Sequence, residues 1–150
     1  MDKYSRVLVV ANETIAGESL HRQINEMTAE DGEVLVVAPA LSSRLEYVFS
    51  DVDKPREHAQ ARLDRSLELM AADGVTAKGL VGDANPVRAL EDALAIFDAD
   101  AVLVSTHPEG RSHWLERGVV EKFRAHTSLP VIHVVVDIPA EEAERKTRVA

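Results

Sequence analysis

V-L-V-V-A-N, residues 7–12, decides the fold. Val7 to Ala11 are apolar without interruption and mostly β-branched, and the run ends on the polar Asn12. A strand with one wet face alternates apolar and polar residues, whereas an unbroken run marks a strand covered on both faces. Asn12 to Gly17 then read as a polar turn, and Leu20, Ile24 and Met27 recur at helical spacing. Asp31-Gly32 is expected to stop that helix.

Outward from this unit the pattern repeats. Val34 to Ala38 is a second buried run, ended by Pro39. Leu45, Val48 and Phe49 suggest a short helix within the ambiguous stretch from Leu41 to Asp53. Asp53 with Pro55 is a helix start, because an early proline forfeits no helical hydrogen bond. Ala59, Leu63, Leu67, Met70 and Ala71 fall on one face of that helix, and Gly74 is a natural stop. Val75 to Val81 is a third strand, interrupted by Lys78, which suggests a sheet edge. Asn85-Pro86 supplies a cap and first residue for a helix striped by Val87, Leu90, Leu94 and Phe97. Ala101 to Ser105 is a fourth strand, followed by a loop from Thr106 to Arg111. Ser112 is placed to cap a helix bearing Leu115, Val119 and Phe123. Pro130 opens a last strand, Val131 to Val136.

Strands alternating with helices predict an α/β fold with a parallel sheet and helices on both faces. Residues 1–137 form that domain, and residues 138–150 are a charged tail, either a frayed helix or disordered. In such sheets ligands sit beyond the carboxyl ends of the strands, where strand order reverses. That places the functional surface at the turns after Ala11 and after Ser105.

Composition narrows the function classes. Of 150 residues, 45% are hydrophobic and 29% charged, an ordinary globular balance, and the 4% of aromatics demand an aliphatic core. A formal charge of -9 disfavours nucleic acid as a partner, because a phosphate backbone would be repelled. The absence of cysteine excludes disulfides, thiolate catalysis and thiolate-bound metal. Met1 to Arg6 is too polar for a signal peptide, and no apolar stretch is long enough to cross a bilayer. A cytoplasmic location with no membrane partner is expected.

Four segments together resemble the universal stress protein family: V-L-V-V-A-N at 7–12, V-G-D-A-N-P at 81–86, D-A-D-A-V-L-V-S-T-H at 98–107, and G-V-V-E-K-F at 118–123 followed by S-L-P-V-I-H-V-V-V at 128–136. Their order and spacing carry the resemblance, which covers nearly the whole chain up to Asp137. It implies a five-stranded parallel sheet in the order 3-2-1-4-5, a Rossmann-like three-layer sandwich. It also implies a homodimer, often through the last strands, and a cleft that holds ATP in some members and not in others. On this chain the cleft would be lined by Ala11 and Asn12, by Ala38 after the second strand, by Gly82 and Asp83 after the third, and by Ser105, Thr106 and His107 after the fourth.

Nucleotide-binding members carry a glycine, two residues, a glycine, nine residues, a glycine, then serine or threonine. Glycines let backbone amides approach phosphate oxygens, and a helix amino terminus adds positive potential. Here those positions fall on Ser105, Pro108, Gly118 and Val119, so only Gly118 is kept. Pro108 has no amide hydrogen. Val119 has no hydroxyl. After the first strand Asn12 and Glu13 stand where the family commonly has aspartate. These departures predict weak or absent ATP binding in the standard pose. Against them, Gly110, Arg111 and Ser112 precede a helix, where Arg111 and the amides of Ser112 and His113 would suit a small anion or an adenine nucleotide held by a remodelled loop.

Catalytic and metal readings are weaker. His107 and His113, near Glu109 and Glu116, match no usual zinc spacing. There is no Gly-x-Ser-x-Gly elbow and no Walker loop, and Asp100, Ser105 and His107 form no triad on spacing alone. His133, in an apolar strand, reads as a satisfied core or interface residue; paired last strands would bring two copies together and make the interface pH-sensitive. Trp114 reads as a packing residue that would report on a ligand near Arg111. The leading reading is a dimeric, non-catalytic regulatory domain. The alternatives are an ATP-binding stress protein with slow hydrolysis, and a dimerisation module with an empty cleft.

Overall fold

The computed structural model describes residues 3–11, 17–39, 53–108, 114, 118–137, 139–140 and 143. Strands β1 (Tyr4–Val10), β2 (Thr28–Pro39), β3 (Lys78–Gly82), β4 (Ala101–Thr106) and β5 (Val131–Val135) are joined through helices α1 (Glu18–Met27), α2 (Asp53–Ala72), α3 (Pro86–Ile96) and α4 (Val119–His126). All strand pairs are parallel, in the order β3-β2-β1-β4-β5. The expected architecture and strand order are therefore present, with Lys78 on an edge strand.

The two faces of β1 explain its unbroken apolar run. Val7, Val9 and Ala11 share one core with Leu20, Ile24 and Met27 of α1 and with Leu63 and Met70 of α2. Leu8 and Val10 share the other with Ala89, Leu90 and Ala93 of α3 and with Val119, Val120 and Phe123 of α4. All five residues from Val7 to Ala11 are fully buried. Burial of this kind contributes about 25 cal/mol per Å² of apolar surface.

Two expected boundaries are corrected. Asp31-Gly32 does not stop α1. The helix ends at Met27, where Thr28 turns extended and its hydroxyl donates to the Ile24 carbonyl at 2.6 Å. Asp31 and Gly32 instead lie in an irregularity of β2, whose register against β1 jumps between Tyr4↔Thr28 and Arg6↔Glu33. Likewise the helix carrying Val119 and Phe123 starts at Val119, after the left-handed Gly118 (φ 65°, ψ 36°), while Trp114 before it is itself helical and Ser112 and Leu115 lie outside the described residues. The start of α3 is as read: Asn85 Oδ1 accepts from the Val87 amide at 3.0 Å, with Pro86 as first residue. The suggested short helix around Leu45 and Phe49 lies outside the described residues. Of the charged tail, residues 139–140 and 143 are described, and they are helical.

Candidate functional site

β1 is the switch point of the sheet. Its neighbours are β2 on one side and β4 on the other. The chain leaving β1 goes to α1, which packs on the face with Val7 and Val9. The chain leaving β4 goes to α4, which packs on the opposite face with Leu8 and Val104. Connections that part to opposite faces open a crevice between the carboxyl ends of the two strands.

Ala11 and Ala38 form part of the apolar floor, and the Ala11 amide continues the ladder by donating to the Val37 carbonyl at 3.1 Å. Ser105 and Thr106, at the end of β4, are almost fully buried. His107 and Pro108 follow, half-buried. Gly82 ends β3, and its lack of a side chain serves packing: a Cβ there would come within 2.9 Å of Val37 and of Ala89. Asp83 turns the chain locally, its Oδ1 accepting from the Asn85 amide at 2.8 Å. Asn12, Gly110, Arg111 and Ser112 lie outside the described residues, as do His113, Glu109 and Glu116.

Gly118 and Val119 have distinct jobs. The left-handed backbone of Gly118 is a conformation that costs an ordinary residue about 1–2 kcal/mol, and its carbonyl accepts the first helical bond from Lys122 at 3.0 Å. No side chain caps the start of α4. Val119, at the position where a nucleotide-binding loop would present a hydroxyl, is buried in the core beneath α4. Trp114 is half-buried against this same core.

One polar contact at the crevice was not legible from spacing. Thr106 Oγ1 lies 2.8 Å from His133 Nε2 of β5. The register pairs His133 with Val104, so Thr106, two residues on, meets it diagonally on the same face. Burial holds the His133 imidazole below its ordinary 6.5; the Arg124 guanidinium lowers it further, and Glu121 opposes them. The apolar strand context of His133 marked it as satisfied. Its partner required the register.

At the opposite end of the sheet lies a cavity of about 520 Å³ bordered by Lys3, Asn25, Thr28, Glu30, Gly74 and Thr76. Its walls come from the ends and turns of α1, β2 and α2, remote from the switch-point crevice. Nearby, buried His21 of α1 and Asp73, just past α2, meet at 2.6 Å through Nδ1 and Oδ2.

No protein-family model matches the chain. No curated protein matches it either. Solved structures do. A protein of the universal stress protein family from Burkholderia pseudomallei is similar at TM-score 0.58 and 18% identity, over 87% of this chain and 96% of that one. A hypothetical protein solved as a structural-genomics test case for assigning biochemical function is similar at TM-score 0.66 and 16% identity, over 89% and 97%. A universal stress protein from Archaeoglobus fulgidus is similar at TM-score 0.57 and 13% identity, over 87% and 93%. The chain thus has, along nearly its whole length, the fold of the universal stress proteins.

Proposed function

We propose that this chain is a universal stress protein-like regulatory domain, dimeric and non-catalytic, that holds ATP weakly or not at all in the standard pose. The observation that carries this reading is the burial of Val119 at the head of α4. Its side chain is committed to the core, and it has no hydroxyl to offer a phosphate. Pro108 adds no amide donor on the other side of the loop. The packing role of Gly82 and the local turn made by Asp83 fit a crevice whose walls are held by the fold itself. The cytoplasmic location is part of this reading; among the described residues no helix is long and apolar enough to cross a membrane.

A second reading has one observation in its favour. α4 starts without a side-chain cap after the left-handed Gly118, and the first amides of a helix have no partner within it. A small anion or an adenine nucleotide held by a remodelled loop, with Arg111 as its counter-charge, would use them.

Mass spectrometry of the small molecules released on denaturing the purified protein separates the two. The first reading expects no stoichiometric nucleotide, and no change in Trp114 fluorescence as ATP and magnesium are raised to millimolar levels. Bound adenine nucleotide at one per chain would establish the second, and Arg111→Ala should then weaken binding by about 1.5–3 kcal/mol, the worth of a charged hydrogen bond.

A further inference from the structure

We propose that the cavity at the amino end of the sheet binds a primary alkylammonium group, held by hydrogen-bond acceptors of α1 and β2 over an apolar floor. The cavity is remote from the switch-point crevice, so this does not depend on whether the crevice holds a nucleotide.

The cavity is built by two features of the fold. Its volume of about 520 Å³ falls among ordinary ligand pockets, roughly 300–1,000 Å³. One wall is the irregularity of β2, which runs from Thr28 to Glu33 while β1 advances only from Tyr4 to Arg6. Thr28, Ala29, Glu30 and Gly32 of that extra length all border the cavity. Extra residues of this kind bend a strand and re-aim its side chains. Here they fold tightly on themselves: a Cβ on Gly32 would lie 2.6 Å from the Thr28 side chain and 2.9 Å from the Ala29 carbonyl. A second wall is the turn that closes α2, where Gly74 takes φ 87° and the Val75 amide donates to the Met70 carbonyl at 2.9 Å. His21 ties that turn to α1 through Asp73 at 2.6 Å. Ile24, Val34 and Val75, all buried, supply the apolar floor.

The polar groups at the rim decide the ligand. The Thr28 hydroxyl has one proton and donates it to the Ile24 carbonyl at 2.6 Å, so toward a ligand it is an acceptor. Asn25 turns Nδ2 to the Asp73 carbonyl at 3.4 Å, and its Oδ1 takes no hydrogen bond among the described residues. The Glu30 carboxylate only accepts, and it joins no ion pair among the described residues. α1 and α2 both end at this cavity, and neither has a basic residue in its last turn, so their carboxyl-terminal dipoles add negative potential. Lys3, which is exposed, is the one cation among the bordering residues. The charge of -9 on the whole molecule raises the local concentration of cations further. A ligand that fits therefore carries a positive charge, more than one N–H donor and a short apolar stem, which describes a primary alkylammonium. A bare divalent ion does not fit, because among the described residues no three carboxylate or imidazole side chains come together.

NMR titration of the isotope-labelled full chain with n-butylammonium chloride, at a fixed ionic strength of about 0.15 M, tests this. Amide shifts should saturate at Gly32 and Gly74, while Gly82 and Gly118 at the other end of the sheet stay in place. The same stem without the charge, n-butanol, should shift neither. Glu30→Gln should weaken the apparent affinity roughly two- to fivefold, the worth of one exposed charge contact, and Lys3→Gln, which removes a competing cation, should tighten it by a similar factor. Both side chains are exposed, so neither substitution removes core packing. Putrescine and Nα-acetyl-lysine N-methylamide distinguish a free amine from the lysine of a protein partner by which binds tighter at the same amides. Shifts that spread over the surface without saturating would overturn the proposal. So would an equal response to n-butanol or to magnesium chloride at the same ionic strength, or an unchanged affinity in Glu30→Gln.

Discussion

Gly82 shows how one residue type can be read two ways. In the sequence it belongs to a V-G-D-A-N-P segment that suggests a ligand-facing turn. In the structure its missing Cβ makes room for Val37 and Ala89, letting α3 lie close on β2 and β3. Gly82→Ala should therefore destabilise the fold by about 1–3 kcal/mol through overpacking, seen as a lower urea midpoint with an unchanged slope. Unchanged stability would return Gly82 to a purely functional role. Val119 teaches the complementary lesson: its apolar character was read as a missing hydroxyl, and the structure adds that the side chain fills space under α4. The partnership of Thr106 with His133 was out of reach, since 27 residues separate them and only the strand register brings them to 2.8 Å.

At the scale of elements, strand interiors and helix stripes were legible because burial imposes periodicity on the chain. The expected centres of all the strands and of α1, α2 and α3 agree with the structure. Boundaries were less legible, for local reasons. The early end of α1 depends on Thr28 joining the sheet opposite Tyr4, a tertiary pairing that overrides the turn signal of Asp31-Gly32. The late start of α4 depends on the left-handed Gly118. Which of Val134 and Val135 faces outward was ambiguous by alternation alone; Val134 packs on the core, and Val135 is 50% exposed on the uncovered end of β5. If a second copy pairs along this strand, as our functional reading holds, Val135→Asp places an unpaired charge in the interface. Light scattering should then show a folded monomer. A variant that stays folded and dimeric would move the interface off this strand.

For the whole molecule, the formal charge of -9 acts as a field. Like charges on a compact body repel, and expansion relieves the repulsion. Among the described residues Arg6 offsets part of it locally, at 3.3 Å from Glu33 and 3.4 Å from Asp98, but these groups are exposed and such pairs contribute little. Raising salt from about 0.01 to about 0.15 M shortens the screening length from roughly 30 to roughly 8 Å. The melting temperature should rise by about 2–4 °C, the equivalent of about 1 kcal/mol for a chain of this size. A fall with added salt would mean that the ion pairs outweigh the net repulsion.

The sequence by itself determined the layered α/β class and the number and parallel direction of the strands, because each follows from which residues must leave water and in what order along the chain. The strand order was legible only through resemblance to a known family. Register, side-chain partners and the exact employment of each glycine were decided by the tertiary structure alone. Those are distances between segments far apart in sequence, and no local preference of a residue specifies what will be packed against it.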